Sequence, residues 1–162
     1  MSEKTVYLDN NATTMVDPQV FEAMKPYFCD LYGNPSSMHE FGGQVMHAVD
    51  KAREQVKDFL GARDAKEIIF TASGSEGDNM AIRGVLEANK NKKHIITTKI
   101  EHPAVLNVYK YLEKQGYDVT YLDVDSKGNL DLNQLAESIT DETALVSIMY
   151  ANNETGVILP VE

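Results

Sequence analysis

Glu67-Ile68-Ile69-Phe70-Thr71-Ala72-Ser73-Gly74-Ser75-Glu76-Gly77-Asp78-Asn79 joins an apolar run to a turn of small residues and then to an acidic stretch. An amphipathic segment follows from Met80, with Ile82, Val85 and Leu86 on one face. The order reads as strand, tight turn and helix N-terminus. A helix start leaves backbone N–H groups unpaired and carries partial positive charge, so it attracts a phosphate. Gly74 lets the backbone come close to a ligand, and Ser73 and Ser75 add hydroxyl donors. The same residues also describe an ordinary cap, with Ser75 as N-cap and Glu76 and Asp78 in the first turn.

Outward from this turn, strands alternate with helices. Towards the C-terminus the expected order is a strand at Ile95-Ile96-Thr97-Thr98 and a helix bearing Val105, Val108, Tyr109 and Leu112. Then come a strand at Val119-Thr120-Tyr121-Leu122, a short helix over 132–139 and a strand from Ala144 to Met149. Such alternation implies a parallel sheet with helices on its faces, a three-layer α/β architecture. Ligands of such sheets bind beyond the carboxyl ends of the strands. Three polar clusters fall there: the serine-glycine turn, Glu101-His102, and Asn152-Asn153-Glu154. Neither G-x-G-x-x-G nor G-x-x-x-x-G-K-[ST] is present, which removes the dinucleotide and P-loop signatures.

Towards the N-terminus, Val45, Val49, Ala52, Val56, Phe59 and Leu60 keep a helical period that Gly61 closes, and this helix is expected to be core scaffold. Asp17-Pro18 is a helix start, and Val20, Met24 and Phe28 continue it on one apolar face. Pro26 lies inside that pattern and predicts a kink or break. Val6-Tyr7-Leu8 reads as a short strand stopped by Asp9-Asn10-Asn11, whose side chains favour turns.

Length and composition bound the possibilities. A chain of 162 residues can bury a core, and length alone suggests one domain. Fifteen Lys and Arg against 25 Asp and Glu give a net charge of -10, a poor match to nucleic acid. No apolar run has the length of a membrane span, and no signal-peptide pattern opens the chain. The single cysteine, Cys29, cannot form an internal disulfide and is expected to be a small core residue. No Cys/His group has metal-ligand spacing. These features point to a cytoplasmic protein. His39, His47 and His94 are expected to be structural or exposed.

Several stretches taken together resemble a known family. Tyr7-Leu8-Asp9-Asn10-Asn11-Ala12-Thr13-Thr14 and Tyr32-Gly33-Asn34-Pro35-Ser36-Ser37 with His39 look like the opening of the NifS/IscS-type cysteine desulfurases. Glu67-Ile68-Ile69-Phe70-Thr71, Glu101-His102-Pro103-Ala104-Val105 and Asn152-Asn153-Glu154-Thr155-Gly156 continue the match in order across essentially the whole chain. The resemblance implies a fold-type-I, aminotransferase-like enzyme using pyridoxal 5′-phosphate (PLP). Its reaction converts L-cysteine to alanine and an enzyme persulfide, which feeds a sulfur acceptor such as an Fe–S scaffold protein.

By that resemblance Gly74 and Ser75 hold the PLP phosphate, and Asn153 bonds the phenolic oxygen of the ring. His102 stacks on the pyridine and moves protons, a role suited to an imidazole. Asn11 and Asn34 fall on the substrate side. Residues 1–14 would belong to a small domain and 15–162 to the first part of the PLP-binding large domain, which is incomplete here. Relatives commonly carry Thr at the position of Ser75 and Ser at that of Gly77. The lysine that binds PLP, the aspartate that pairs with its pyridine nitrogen and the loop cysteine that accepts sulfur match no residue present. The complete enzyme is expected to be a homodimer, and the 162 residues alone to be inactive. Two rivals stand beside this reading: a related PLP enzyme such as selenocysteine lyase or kynureninase, and a non-catalytic partner-binding module.

Overall fold

A computed structural model describes residues 5–161. The chain forms two compact units, Met1–Phe70 and Thr71–Glu162.

The first unit is helical. Helix α1 spans Pro18–Met24; Asp17 caps it by accepting the Gln19 N–H at 2.7 Å. Proline at the first helical position is tolerated because its missing N–H would have had no partner. Pro26 does break the pattern, and α2 (Pro26–Cys29) restarts after Lys25. Helix α3 spans Glu40–Leu60, starting one turn before the apolar period suggests. His39 caps it: Nδ1 accepts the Gly42 N–H at 3.3 Å. A Cβ at Gly42 would lie 2.6 Å from the Asn34 carbonyl oxygen, so only glycine lets the helix start against that turn. At the other end Gly61 takes a left-handed φ of 69° and stops the helix.

Several expectations for this unit fail. Neither Val6-Tyr7-Leu8 nor Ile68-Ile69-Phe70 joins a ladder among the described residues. A strand exists only through a paired neighbour, which propensity cannot supply. The Ile68 carbonyl instead accepts from the Arg53 guanidinium, which also lies 4.8 Å from the centre of the Phe70 ring. Val20, Met24 and Phe28 share a face but all are exposed. Cys29 is exposed rather than a core residue. Helix α3 buries only Gly42; its periodic residues are half-buried or, at Phe59 and Leu60, exposed.

The second unit carries the sheet. Helix α4 spans Gly74–Ala88, strand β1 His94–Thr98, α5 Pro103–Lys114 and β2 Asp118–Leu122. Helix α6 (Leu132–Ser138) and β3 (Thr143–Ser147) complete it. The strand order is β2-β1-β3, all parallel. Strand β1 is central and buried along its whole length. Its successive side chains point to opposite faces. Ile95 joins Ile82 and Leu86 of α4 and Val105, Val108, Tyr109 and Leu112 of α5 in one cluster. Ile96 joins Leu122, Leu130 and Leu159 on the other, with Leu135 of α6 beside them. The two crossovers thus lie on opposite faces, as right-handed connections require when the second reverses direction. His94, structural as expected, ties the three strands together. Its ring nitrogens lie 2.8 Å from Thr143 Oγ1 and 2.9 Å from Thr120 Oγ1. Strand β3 stops at Ser147, two residues before the apolar run ends, because the Met149 N–H turns to the Glu101 carboxylate.

Candidate active site at the carboxyl ends of the strands

The turn before α4 is built by a reciprocal cap. Ser73, not Ser75, is the N-cap: its Oγ accepts the Glu76 N–H at 3.2 Å. Glu76 reaches back and accepts the Ala72 N–H at 2.6 Å. A serine followed three residues later by glutamate is the sequence signature of this arrangement. The cap takes the Glu76 N–H, and the Gly77 N–H bonds the Ser73 carbonyl at 3.1 Å. The Gly74 and Ser75 N–H groups and the Ser75 hydroxyl are left with no partner among the described residues. A Cβ at Gly74 would meet nothing within 4 Å.

His102 is the N-cap of α5 and is exposed. Its Nδ1 accepts the Ala104 N–H at 3.1 Å, which places the proton of the neutral ring on Nε2. The cap engages Nδ1, while the residue as a whole stays exposed. On one side His102 lines a hollow of about 520 Å³ with Ser75, Asn79, Arg83 and Asn107. Arg83, the cation of that hollow, lies 5.0 Å from the Tyr111 ring centre. On the other side His102 lines a cleft of about 320 Å³ with Lys99, Glu101, Asn152, Asn153 and Thr155. The fold therefore brings His102 beside Ser75 in the first concavity and beside Asn153 in the second.

The two asparagines after β3 differ. Asn153 is exposed and lines the cleft. Asn152 is buried and closes the turn: its Oδ1 accepts from the Glu154 and Thr155 N–H groups at 3.0 and 2.9 Å and from Thr155 Oγ1 at 3.1 Å. Glu101 is buried as well, and burial pushes its carboxyl up from the ordinary glutamate range, against the pull of the Met149 N–H. Sequence reasoning gave neither Glu101 nor Asn152 a role of its own. The available signal was their position, each just before a candidate site residue at the end of a strand.

Asn11 and Asn34 belong to the first unit, and both are exposed. Asn34 Oδ1 accepts the Ser36 N–H at 2.9 Å, holding the turn before α3. Among the described residues no group of three or more His, Cys, Asp or Glu could hold a metal, and no helix is long and apolar enough to cross a membrane.

The residues present fit a phosphorylated aromatic cofactor. Two unpaired N–H groups at a helix start suit a phosphate. An exposed imidazole between that start and a polar cleft suits a flat ring.

Comparison with known proteins agrees. A profile of the aminotransferase class-V family matches residues 6–162. A protein named cysteine desulfurase from Nostoc sp. is 65% identical over 97% of this chain and 39% of its own length. Cysteine desulfurase NifS of Azotobacter vinelandii is 52% identical over the same shares. A solved structure described as a NifS-like protein superposes with a TM-score of 0.91 at 46% identity, over 96% of this chain and 43% of that one. Another, described as SspA in complex with cysteine, gives 0.89 at 41% identity, over 98% of this chain and 46% of that one. The chain thus spans about two-fifths of the length of the curated relatives it matches. Its fold is that of the fold-type-I PLP enzymes, and the chain belongs to the aminotransferase class-V family, with NifS/IscS-type cysteine desulfurases among its relatives.

Proposed function

We propose that these residues form part of the PLP site of a cysteine desulfurase, which moves sulfur from L-cysteine to an acceptor such as an Fe–S scaffold protein. One observation carries the proposal: His102 lines two concavities, one holding Ser75 at the start of α4 and the other holding Asn153. In this reading Gly74 and Ser75 bind the phosphate, His102 lies against the ring and Asn153 donates to its phenolic oxygen. When bound, the cofactor supplies an electron sink for charge developing on the substrate. His102 Nε2 holds or moves the proton, because Nδ1 is committed to the cap of α5. Asn11 and Asn34 serve the substrate side, with residues 1–14 in the small domain and 15–162 in the large one. A cytoplasmic setting goes with this reading.

PLP fluorescence titration of the chain tests the site. His102→Ala and Asn153→Ala are expected to weaken binding by about tenfold each, the size of one lost polar contact to a charged ligand. Unchanged affinity in both would sink the assignment. The 162 residues carry one thiol, Cys29, with no partner resembling a sulfur-accepting loop. Incubated alone with L-cysteine and PLP, they are expected to yield neither sulfide nor alanine above the protein-free background.

A binding role without catalysis is the second reading. It is favoured by exposed apolar side chains such as Leu8, Met38 and Phe59, each more than four-fifths exposed. Light scattering that finds a well-behaved monomer at high concentration counts against it.

A further inference from the structure

His102 and Asn153 sit on loops leaving different strands, and a cofactor gripped by both needs those loops at a fixed spacing. Backbone pairing cannot provide it, since the β1–β3 ladder ends at Thr97 opposite Ser147. Beyond that point two side chains take over. The residue just before each site residue is buried, Glu101 at 7% and Asn152 at 8% exposure, and each reaches the other loop's backbone. Glu101 Oε1 accepts the Met149 N–H at 2.5 Å, and Asn152 Nδ2 donates to the Ile100 carbonyl at 3.1 Å. The ties run in opposite directions, one from each loop. The Asn152 Oδ1 meanwhile closes the turn that presents Asn153. An apolar side chain at position 101 would fill the space with less desolvation cost; what the acid adds is a directional bond.

We propose that Glu101 and Asn152 are reciprocal positioning residues, a cross-loop clamp that sets the spacing of His102 and Asn153. The inference rests on the assignment of those two residues to the cofactor. Neither clamp residue is given a chemical role; each acts through its neighbour.

The test compares three variants of the chain by site-resolved amide hydrogen exchange and by PLP titration. Glu101→Leu removes the acceptor, Glu101→Gln keeps one, and Asn152→Asp keeps the turn-closing oxygen but loses the donor to Ile100. Glu101→Leu is expected to speed exchange about tenfold in both loops, 99–102 and 148–155, as loss of a bond to a charged group implies. Protection in β1 and α5 should hold, and Glu101→Gln should restore the loops. Asn152→Asp should loosen the same two loops. Faster exchange at Met149 alone overturns the clamp.

The second readout is one that general loosening would not move. Glu101→Leu should weaken PLP about tenfold and shift its bound absorption, while inorganic phosphate, held at the start of α4, binds as before. Wild-type affinity and spectrum for PLP in Glu101→Leu overturn the positioning role. If the unaltered chain takes up no PLP, as the lack of a matching lysine allows, the exchange pattern alone upholds or overturns the clamp. If Glu101→Leu does not fold, Asn152→Asp compared with Glu101→Gln separates the same two outcomes: loosening of both loops upholds the clamp, and loosening of one overturns it.

Discussion

Glu101 holds a carboxyl where water barely reaches, and that sets a pH dependence. Burial raises its folded pKa above the ordinary value of 4.5, with the Met149 N–H opposing the shift. A raised folded pKa means that folding favours the protonated acid. The stabilisation is full below the ordinary value and is lost as pH rises through the raised one. Glu101→Gln keeps an acceptor for Met149 but cannot ionise. Its urea midpoint relative to the unaltered chain is therefore expected to climb with pH across that window and then level off. A constant difference at every pH would show that the carboxyl does not titrate differently on folding. The sequence shows an acid beside His102, but burial is a property of what packs around it. The same holds at 152 and 153, where two identical side chains take opposite roles because one faces the turn interior and the other the cleft.

At the scale of elements, helix ends were legible and strands only partly so. Asp17-Pro18, the break at Pro26 and Gly61 act through atoms a few residues away, so a local sequence suffices to read them. Gly61 offers a test, since its φ is 69° and a Cβ there would meet nothing within 4 Å. Gly61→Ala is thus expected to destabilise by about 1 kcal/mol through backbone conformation alone, without a clash. A thermal melt matching the unaltered chain would show that the end of α3 relaxes out of the left-handed region. Ile68-Ile69-Phe70 shows the opposite limit. Its residues favour an extended backbone, and Ile68 has extended torsions, but with no paired neighbour among the described residues the segment is not a strand. The cap of α4 lies between these cases: the Ser73–Glu76 spacing was present, yet Ser75, two positions further on, has the same cap chemistry and competes for the assignment.

At the scale of the whole molecule, burial is unevenly shared. Among the described residues, the buried hydrophobic side chains all lie in Thr71–Glu162 except Ile68. Local stability follows buried apolar contact. Amides of α1, α2 and α3 are therefore expected to exchange at lower denaturant than those of β1 and α5. Equal protection in the two units would mean that they unfold as one. The sequence by itself determined the alternation of strand and helix from residue 94 onward, the helix ends at Asp17 and Gly61, and the polar clusters after β1 and β3. Those depend on periodicity and on bonds between near neighbours, which the order of residues encodes directly. Only the tertiary structure decided that Ile68-Ile69-Phe70 joins no ladder among the described residues and that Cys29 is exposed. It also decided that His102 stands between Ser75 and Asn153, and that Glu101 and Asn152 tie the loops behind them. These depend on which distant segments meet, through parallel pairing across tens of residues, and no local pattern carries that information.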